Sequence, residues 1–229
     1  MKKILLILLV SLCQAFFQDN LSDKETLVYR MKEGSKIVII TENVSLTTSQ
    51  NINLHLIDIR SNDGGTAQIY LLKGSLKPFY LVYYDQQKNK IKEFKYNKDS
   101  VDVSIYDKKI FYNYELNQKD LWDMNSFFHL FRGYPADKKE VLFWSFLPDI
   151  KRGFLLYVKE VGDEEITFDQ KKEKCTILEV GAAGFVESIL FPQTFKFWIM
   201  KDSPHLFLKY SGKNLKGEEV ITEVVKYSN

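Results

Sequence analysis

The run Ala67-Gln68-Ile69-Tyr70-Leu71-Leu72-Lys73-Gly74-Ser75-Leu76-Lys77-Pro78-Phe79-Tyr80-Leu81-Val82-Tyr83-Tyr84 decides the fold class. Ala67–Leu72 alternates apolar with polar or amphipathic residues. Phe79–Tyr84 is aromatic and β-branched, and Gly74-Ser75 supplies turn chemistry between them. The same rhythm extends in both directions, through Lys36–Glu42 and Asn51–Arg60 upstream and Ile91–Tyr96, Val101–Tyr106 and Lys109–Glu115 downstream. Asn62-Asp63-Gly64-Gly65, Gln87-Lys88-Asn89 and Tyr106-Asp107-Lys108 punctuate it, and Ser104–Phe111 reads as a tight hairpin with Asp107-Lys108 at its tip. Further strands are expected at Val141–Phe146, Gly153–Glu160, Glu164–Phe168, Lys174–Val180, Phe195–Met200, Leu206–Ser211 and Glu218–Tyr227. Short strands at this spacing predict a mainly β fold, an antiparallel β-roll or incomplete barrel.

One segment departs from period two. Asp120–Arg132 carries apolar residues at 121, 124, 127, 128 and 131, the spacing of a helix face. Asp120 is the expected N-cap, with Asp123 three residues on; Gly133 closes the helix and Pro135 follows. The prediction is one inserted helix over about 120–132, within a single β-rich domain covering 16–229. The alternative is two sheet halves meeting near 118. Gly181-Ala182-Ala183-Gly184 is too short and wrongly placed for a phosphate-cradling loop.

At the other end of the chain, Lys2 and Lys3 precede an apolar stretch from Ile4 to Leu12, and Cys13-Gln14-Ala15 places small residues at −3 and −1. This is the layout of a signal peptide, residues 1–15, cleaved after Ala15. The apolar stretch is roughly half of the ~20 residues a spanning helix needs. Cys13 supports a second reading, a lipidated cysteine beginning the mature chain, although Leu12 stands where a small residue is usual. The expected address is periplasmic or secreted, or the outer membrane if Cys13 carries acyl chains, the one case in which the protein touches a membrane.

Removing the leader changes the charge. The chain has 32 basic and 30 acidic residues, and the leader takes Lys2 and Lys3 but no acid, leaving 30 of each. A neutral chain has no electrostatic case for nucleic acid. Cys175 then remains alone, so no internal disulfide forms. The 214 residues left of 229 suffice for a full core.

The second half resembles a family of exported bacterial proteins. Asp123-Met124-Asn125-Ser126-Phe127-Phe128-His129-Leu130-Phe131-Arg132-Gly133-Tyr134-Pro135 is similar to the D-x-x-S-x-x-y-x-x-R-x-x-P helix of domain of unknown function 3108. Val158–Ile166, the cysteine strand Cys175–Glu179, and Phe197–His205 with its tryptophan strand and Asp202 turn follow in similar order. The likeness covers roughly 120–229 and departs at Pro204-His205. It implies a periplasmic or outer-membrane-associated β-roll without assigned chemistry, and by extension the holding of lipid or acyl chains.

Reactive constellations are sparse. The three histidines, His55, His129 and His205, form no metal-binding spacing. Asp202 with His205 offers two ligands or a dyad on one turn, though a plain surface turn is the simpler reading. Asp123, Ser126 and His129 share one helix face, whereas a catalytic triad draws its members from different elements. Cys175 sits in an alternating strand, as a buried small hydrophobe does. Arg132, one of four arginines against 28 lysines, suits a helix C-terminus, where it caps carbonyls or forks a carboxylate such as Asp202 or Glu165. Tyr83, Phe197 and Trp198 belong to aromatic runs that line a cavity or fill a core.

The reading that follows is an exported, non-catalytic envelope protein binding a lipid, peptide or protein partner on a β-roll. It needs no cofactor or metal, and Tyr83, His129, Arg132, Phe197, Trp198 and His205 are its candidate ligand contacts. Its rival is a hydrolase built on Asp123 and His129 or on Asp202 and His205. An adhesive or scaffolding role would instead expose an apolar patch.

Overall fold

A computed structural model describes residues 17–116, 121–147, 152–184, 188–189, 192–214 and 217–229. The leader, Cys13 and the expected cap Asp120 lie outside the described residues. Among them run β1 (Lys24–Glu33), β2 (Lys36–Ser49), β3 (Ile52–Ser61), β4 (Thr66–Leu72), β5 (Pro78–Tyr84), β6 (Lys90–Tyr96), β7 (Ser100–Ile105) and β8 (Ile110–Glu115). Then come β9 (Leu121–Asp123), a short helix α1 (Phe127–Leu130), β10 (Glu140–Leu147) and β11 (Arg152–Phe168). β12 (Lys171–Ala182), β13 (Phe195–Met200), β14 (Phe207–Lys213) and β15 (Glu219–Ser228) complete the order. No helix among the described residues is long and apolar enough to cross a membrane.

The strands form one sheet in the order β8-β7-β6-β5-β4-β3-β2-β1-β15-β14-β13-β12-β11-β10-β9. Each strand pairs with its sequence neighbour, and β1 pairs with β15 to stitch the first meander to the second. Every ladder is antiparallel except β9 on β10. The two free edges, β8 and β9, end and begin at Glu115 and Leu121. So few residues reach roughly 20 Å at most, so the sheet must curl until its edges approach. The fold is mainly β, an antiparallel roll; the expected meeting point of two sheet halves near 118 lies outside the described residues.

Inside the roll the alternation is regular. In β4, Ala67, Ile69 and Leu71 are buried while Gln68, Tyr70 and Leu72 are half-buried. The centre is aromatic: Phe131 lies 5.0 Å from Phe127, 4.8 Å from Phe197 and 6.0 Å from Phe143, and Phe17 lies 5.5 Å from Trp122. Each such ring contributes roughly 1.5–3 kcal/mol on burial.

The inserted helix is present but shorter than its periodicity predicts. Leu121, Trp122 and Asp123 pair in parallel with Trp144, Ser145 and Phe146 instead. Only then does the chain turn, through a 3₁₀ turn at Met124–Ser126, α1, and a second 3₁₀ turn at Phe131–Gly133. Asp123 caps the segment, its Oδ1 accepting the Asn125 N–H at 2.7 Å. Almost every position from 121 to 133 is buried, so apolar spacing could not separate strand from helix. Gly133 ends the helix by close approach: a Cβ there would stand 1.8 Å from the carbonyl oxygen of Gln18. The expected hairpin also forms, but with Asp107-Lys108 at the centre of a four-residue tip, Tyr106–Lys109.

Three register shifts fall on one line across the second half of the sheet. The extra residues are Val161 in β11, Leu208 in β14 opposite Trp198/Ile199, and Val225 in β15 opposite Val28/Tyr29. The ladders connect them, through Ile177↔Trp198 and Lys209↔Glu223. Bulges bend a strand, and Gly162, at φ 152°, accepts a bend that other residues resist. Beyond this line β12 stays paired to β13 as far as Cys175↔Met200, and the rest of the β11–β12 hairpin forms an arm whose Ile166 and Phe168 pack back against the core.

Candidate functional site

The alternation places three polar groups on the inner face. Glu25 is in phase with Leu27 and Tyr29, Glu42 with Val38 and Val44, and His55 with Ile57, and all three are buried. α1 lies over them. Arg132 forks Glu25, Nη1 to Oε1 and Nη2 to Oε2 at 3.1 Å, and donates to the Pro204 carbonyl at 3.2 Å. Its partner is therefore Glu25, and neither Asp202 nor Glu165, because β1 passes directly beneath the helix end. Both members of the pair are buried, so each satisfies a charge that would otherwise be stranded. Asn20 ties the same corner, donating to the Arg132 carbonyl at 2.9 Å.

Next to this pair, the His129 Nε2 stands 3.4 Å from the Glu42 Oε2. Burial pushes Glu42 up to about 7, with the Tyr29 hydroxyl opposing by hydrogen bond and the Glu25 charge adding to it. Burial pushes His129 down to about 3, helped by the positive charge of Arg132. Near neutral pH the histidine is uncharged and the carboxyl is partly protonated. His55 is fully buried, its Nε2 2.8 Å from Asp19 Oδ2, which also accepts the Gly74 N–H at 2.7 Å. Burial works to raise Asp19, but these hydrogen bonds outweigh it and hold the carboxyl below its ordinary value.

The other expected site residues are dispersed. Asp123 accepts from the Tyr96 hydroxyl and from Asn125, while His129 faces Glu42, so this pair does not meet as a dyad. In the Asp202 turn the His205 N–H donates to the Asp202 carbonyl at 2.9 Å, and its Nδ1 sits 3.2 Å from the Met200 carbonyl. That histidine contacts backbone and not the Asp202 carboxylate. Cys175 is buried, and burial followed by the charges of Glu173 and Glu164 pushes its thiol up to about 12. A thiol there is inert. Among the described residues no group of three histidine, cysteine or carboxylate side chains is placed to hold a metal ion.

The three aromatic candidates do not wall one cavity. Tyr83 packs edge-on to Phe94 at 6.2 Å. Phe197 lies in the filled core against Phe131, Phe207 and Tyr210. Trp198, its neighbour in the strand, points to the opposite face, as successive residues must. There it donates Nε1–H to Glu164 at 2.7 Å and lies 4.7 Å beneath the Lys209 ammonium.

An opening is found where the bulges bend the sheet. A groove of about 290 Å³ runs between the tip of the β11–β12 arm and β14, β15 and β1. Ile166 and Phe168 form its arm side and Leu208, Val224 and Val225 its sheet side. Arg30 and Glu223, paired at 2.7 Å, and Lys209 provide the polar rim. Leu208 and Val225 fall at the register shifts, where no ladder partner is assigned to them. Sequence reasoning missed this site because a bulge carries no compositional mark beyond Gly162.

No protein-family model matches the chain. No curated protein matches it in sequence. Solved structures do resemble its backbone. A β-barrel-like protein of domain of unknown function DUF1849 from Brucella abortus is similar with a TM-score of 0.52 at 10% identity, over 90% of this chain and 97% of that one. The hypothetical lipoprotein YmcC from Escherichia coli is similar at a TM-score of 0.35 and 11% identity, over 97% of this chain and 96% of its own. The lipoprotein LppX from Mycobacterium tuberculosis gives 0.28 and 12%, over 88% and 85%. The first likeness shows the fold; the looser two add nothing to it.

Proposed function

We propose that this chain is an exported envelope protein, similar to the domain 3108 proteins over 120–229, that binds the acyl chain of a lipid and catalyses no reaction. The observation that carries this reading is the groove beneath the β11–β12 arm, where Ile166, Phe168, Leu208, Val224 and Val225 lie among the polar Arg30, Thr167, Asp169, Lys209 and Glu223. At about 290 Å³ it falls just below the usual range of ligand pockets, roughly 300 to 1,000 Å³. That volume suits the end of one chain, with the headgroup left at the rim beside Arg30 and Lys209. The histidines support the same reading from another side. His55 and His129 are sealed inside the roll and His205 is bound to its own turn.

Native mass spectrometry of protein purified from its own envelope tests this. A lipid adduct is expected on the wild-type chain and its loss on Val225→Asp, which places a carboxylate in the groove at a residue 47% exposed. A bare wild-type chain, or an adduct that survives Val225→Asp, refutes the groove as the binding site. The same spectra reveal whether Cys13 is retained and acylated.

A further inference from the structure

Among the described residues, the β8 edge has no strand partner on the side away from β7, though Tyr114 near its end meets Gly153 and Phe146. Its backbone polarity follows from two bonds: the Leu116 N–H donates to Asp99 at 2.8 Å, and the Tyr106 N–H turns away to Ile91 at 2.9 Å. Alternation then directs the amides of Ile110, Tyr112 and Tyr114 to their β7 partners. Those of Phe111, Asn113 and Glu115 point outward, to the free side. Edges are usually blunted by lysine, proline or a bulge, yet Ile110-Phe111-Tyr112-Asn113-Tyr114-Glu115 has none of these. Phe111 is 62% exposed, with the Tyr106 ring edge-on to it at 5.9 Å.

We infer that this edge pairs antiparallel with the same edge of a second copy, Phe111 opposite Asn113 in both directions. Outward residues must meet outward residues, which limits a two-fold pairing to three central registers. With Phe111 opposite itself, Glu115 faces Asp107 of the second copy, and like charges oppose. With Asn113 opposite itself, Glu115 faces Phe111. Only the register between them sets Glu115 against the Lys108-Lys109 turn, and the symmetry repeats that contact. The charges on the strand and its turn therefore select both the occupant and the register. A six-residue edge buries less than the roughly 1,200 Å² of a standard interface, so the dimer is weak and reversible.

Sedimentation velocity up to about 500 µM is the direct test, since an interface of this size needs high concentration. A monomer–dimer equilibrium is expected, weakened about tenfold or more by Lys109→Glu and by Glu115→Lys and recovered in the double exchange. The register has its own readout, in a Cys13→Ser background with Cys175 buried. Phe111→Cys and Asn113→Cys chains, oxidised together, form a mixed disulfide dimer, and neither forms one alone. A strictly monomeric wild-type chain overturns the inference. So does a double exchange that fails to recover pairing, or a disulfide dimer from either cysteine variant by itself.

Discussion

The buried Glu42 and His129 carry pH dependences of opposite sign, and removing either exposes the other. Glu42 ionises near 7 in the folded chain against an ordinary 4.5. Between those values the folded state keeps a proton the unfolded state has lost, so this contribution falls as pH rises. The interval corresponds to about 3 kcal/mol. His129 ionises near 3 against an ordinary 6.5. Between those values the unfolded state gains a proton the folded state refuses, so this contribution rises with pH, by about 5 kcal/mol in all. From pH 4.5 to 6.5 the slopes, each about 1.4 kcal/mol per pH unit, cancel and the wild-type chain is nearly level. Glu42→Gln should gain about 3 kcal/mol across that window as pH rises, and His129→Gln should lose as much. Urea unfolding followed by tryptophan fluorescence at pH 4.5, 5.5 and 6.5 measures this directly. Glu93 and Asp63, held down at about 2, act equally in all three chains and drop out of the comparison. The sign of each slope carries the test, whatever offset the substitution adds. A Glu42→Gln curve parallel to wild type would refute the reasoning.

Three further variants probe the same corner. Arg132→Ala should cost about 3–5 kcal/mol in urea unfolding, because it strands Glu25 in the core. The double change Arg132→Met with Glu25→Met should cost less than Arg132→Ala alone, since no charge is left buried. Gly133→Ala, although it swaps in a better helix former, should destabilise by at least about 2 kcal/mol. The added Cβ would stand 1.8 Å from Gln18, and a Tm equal to wild type would refute that account.

Much of the roll can be read from the chain because local chemistry enforces it. Gly74-Ser75 does separate β4 from β5, and the Asp107-Lys108 hairpin forms about its expected centre. Strand pairing between sequence neighbours needs no long-range information. The β1–β15 ladder does: Thr26 meets Ser228 across the whole chain, and no turn residue announces it. The segment from 121 to 133 misled for a different reason. A period is a signal only where one face is polar, and here Trp122, Asp123, Ser126 and His129 are buried along with their apolar neighbours.

The candidate residues divide along the same line. Arg132 stood out because arginine is scarce in this chain, but scarcity does not name a partner. Glu25 was the missing half, and it carries a legible mark: a carboxylate in phase with Leu27 and Tyr29, on the face that must be buried. Glu42 between Val38 and Val44 carries the same mark, as does His55 beside Ile57. A charged residue on the apolar phase of a strand either faces a ligand or faces another charge. Here Glu25 meets Arg132, Glu42 stands beside His129, and His55 meets Asp19. One element, the turn-and-helix segment from Asp123 to Gly133, brings two of those partners over the sheet, and Phe17–Asp19 brings the third. The polar interior is thus a seat for the helix and the N-terminal segment. The interior is filled by its own side chains, and the groove lies outside this seat, between the tip of the β11–β12 arm and β14, β15 and β1.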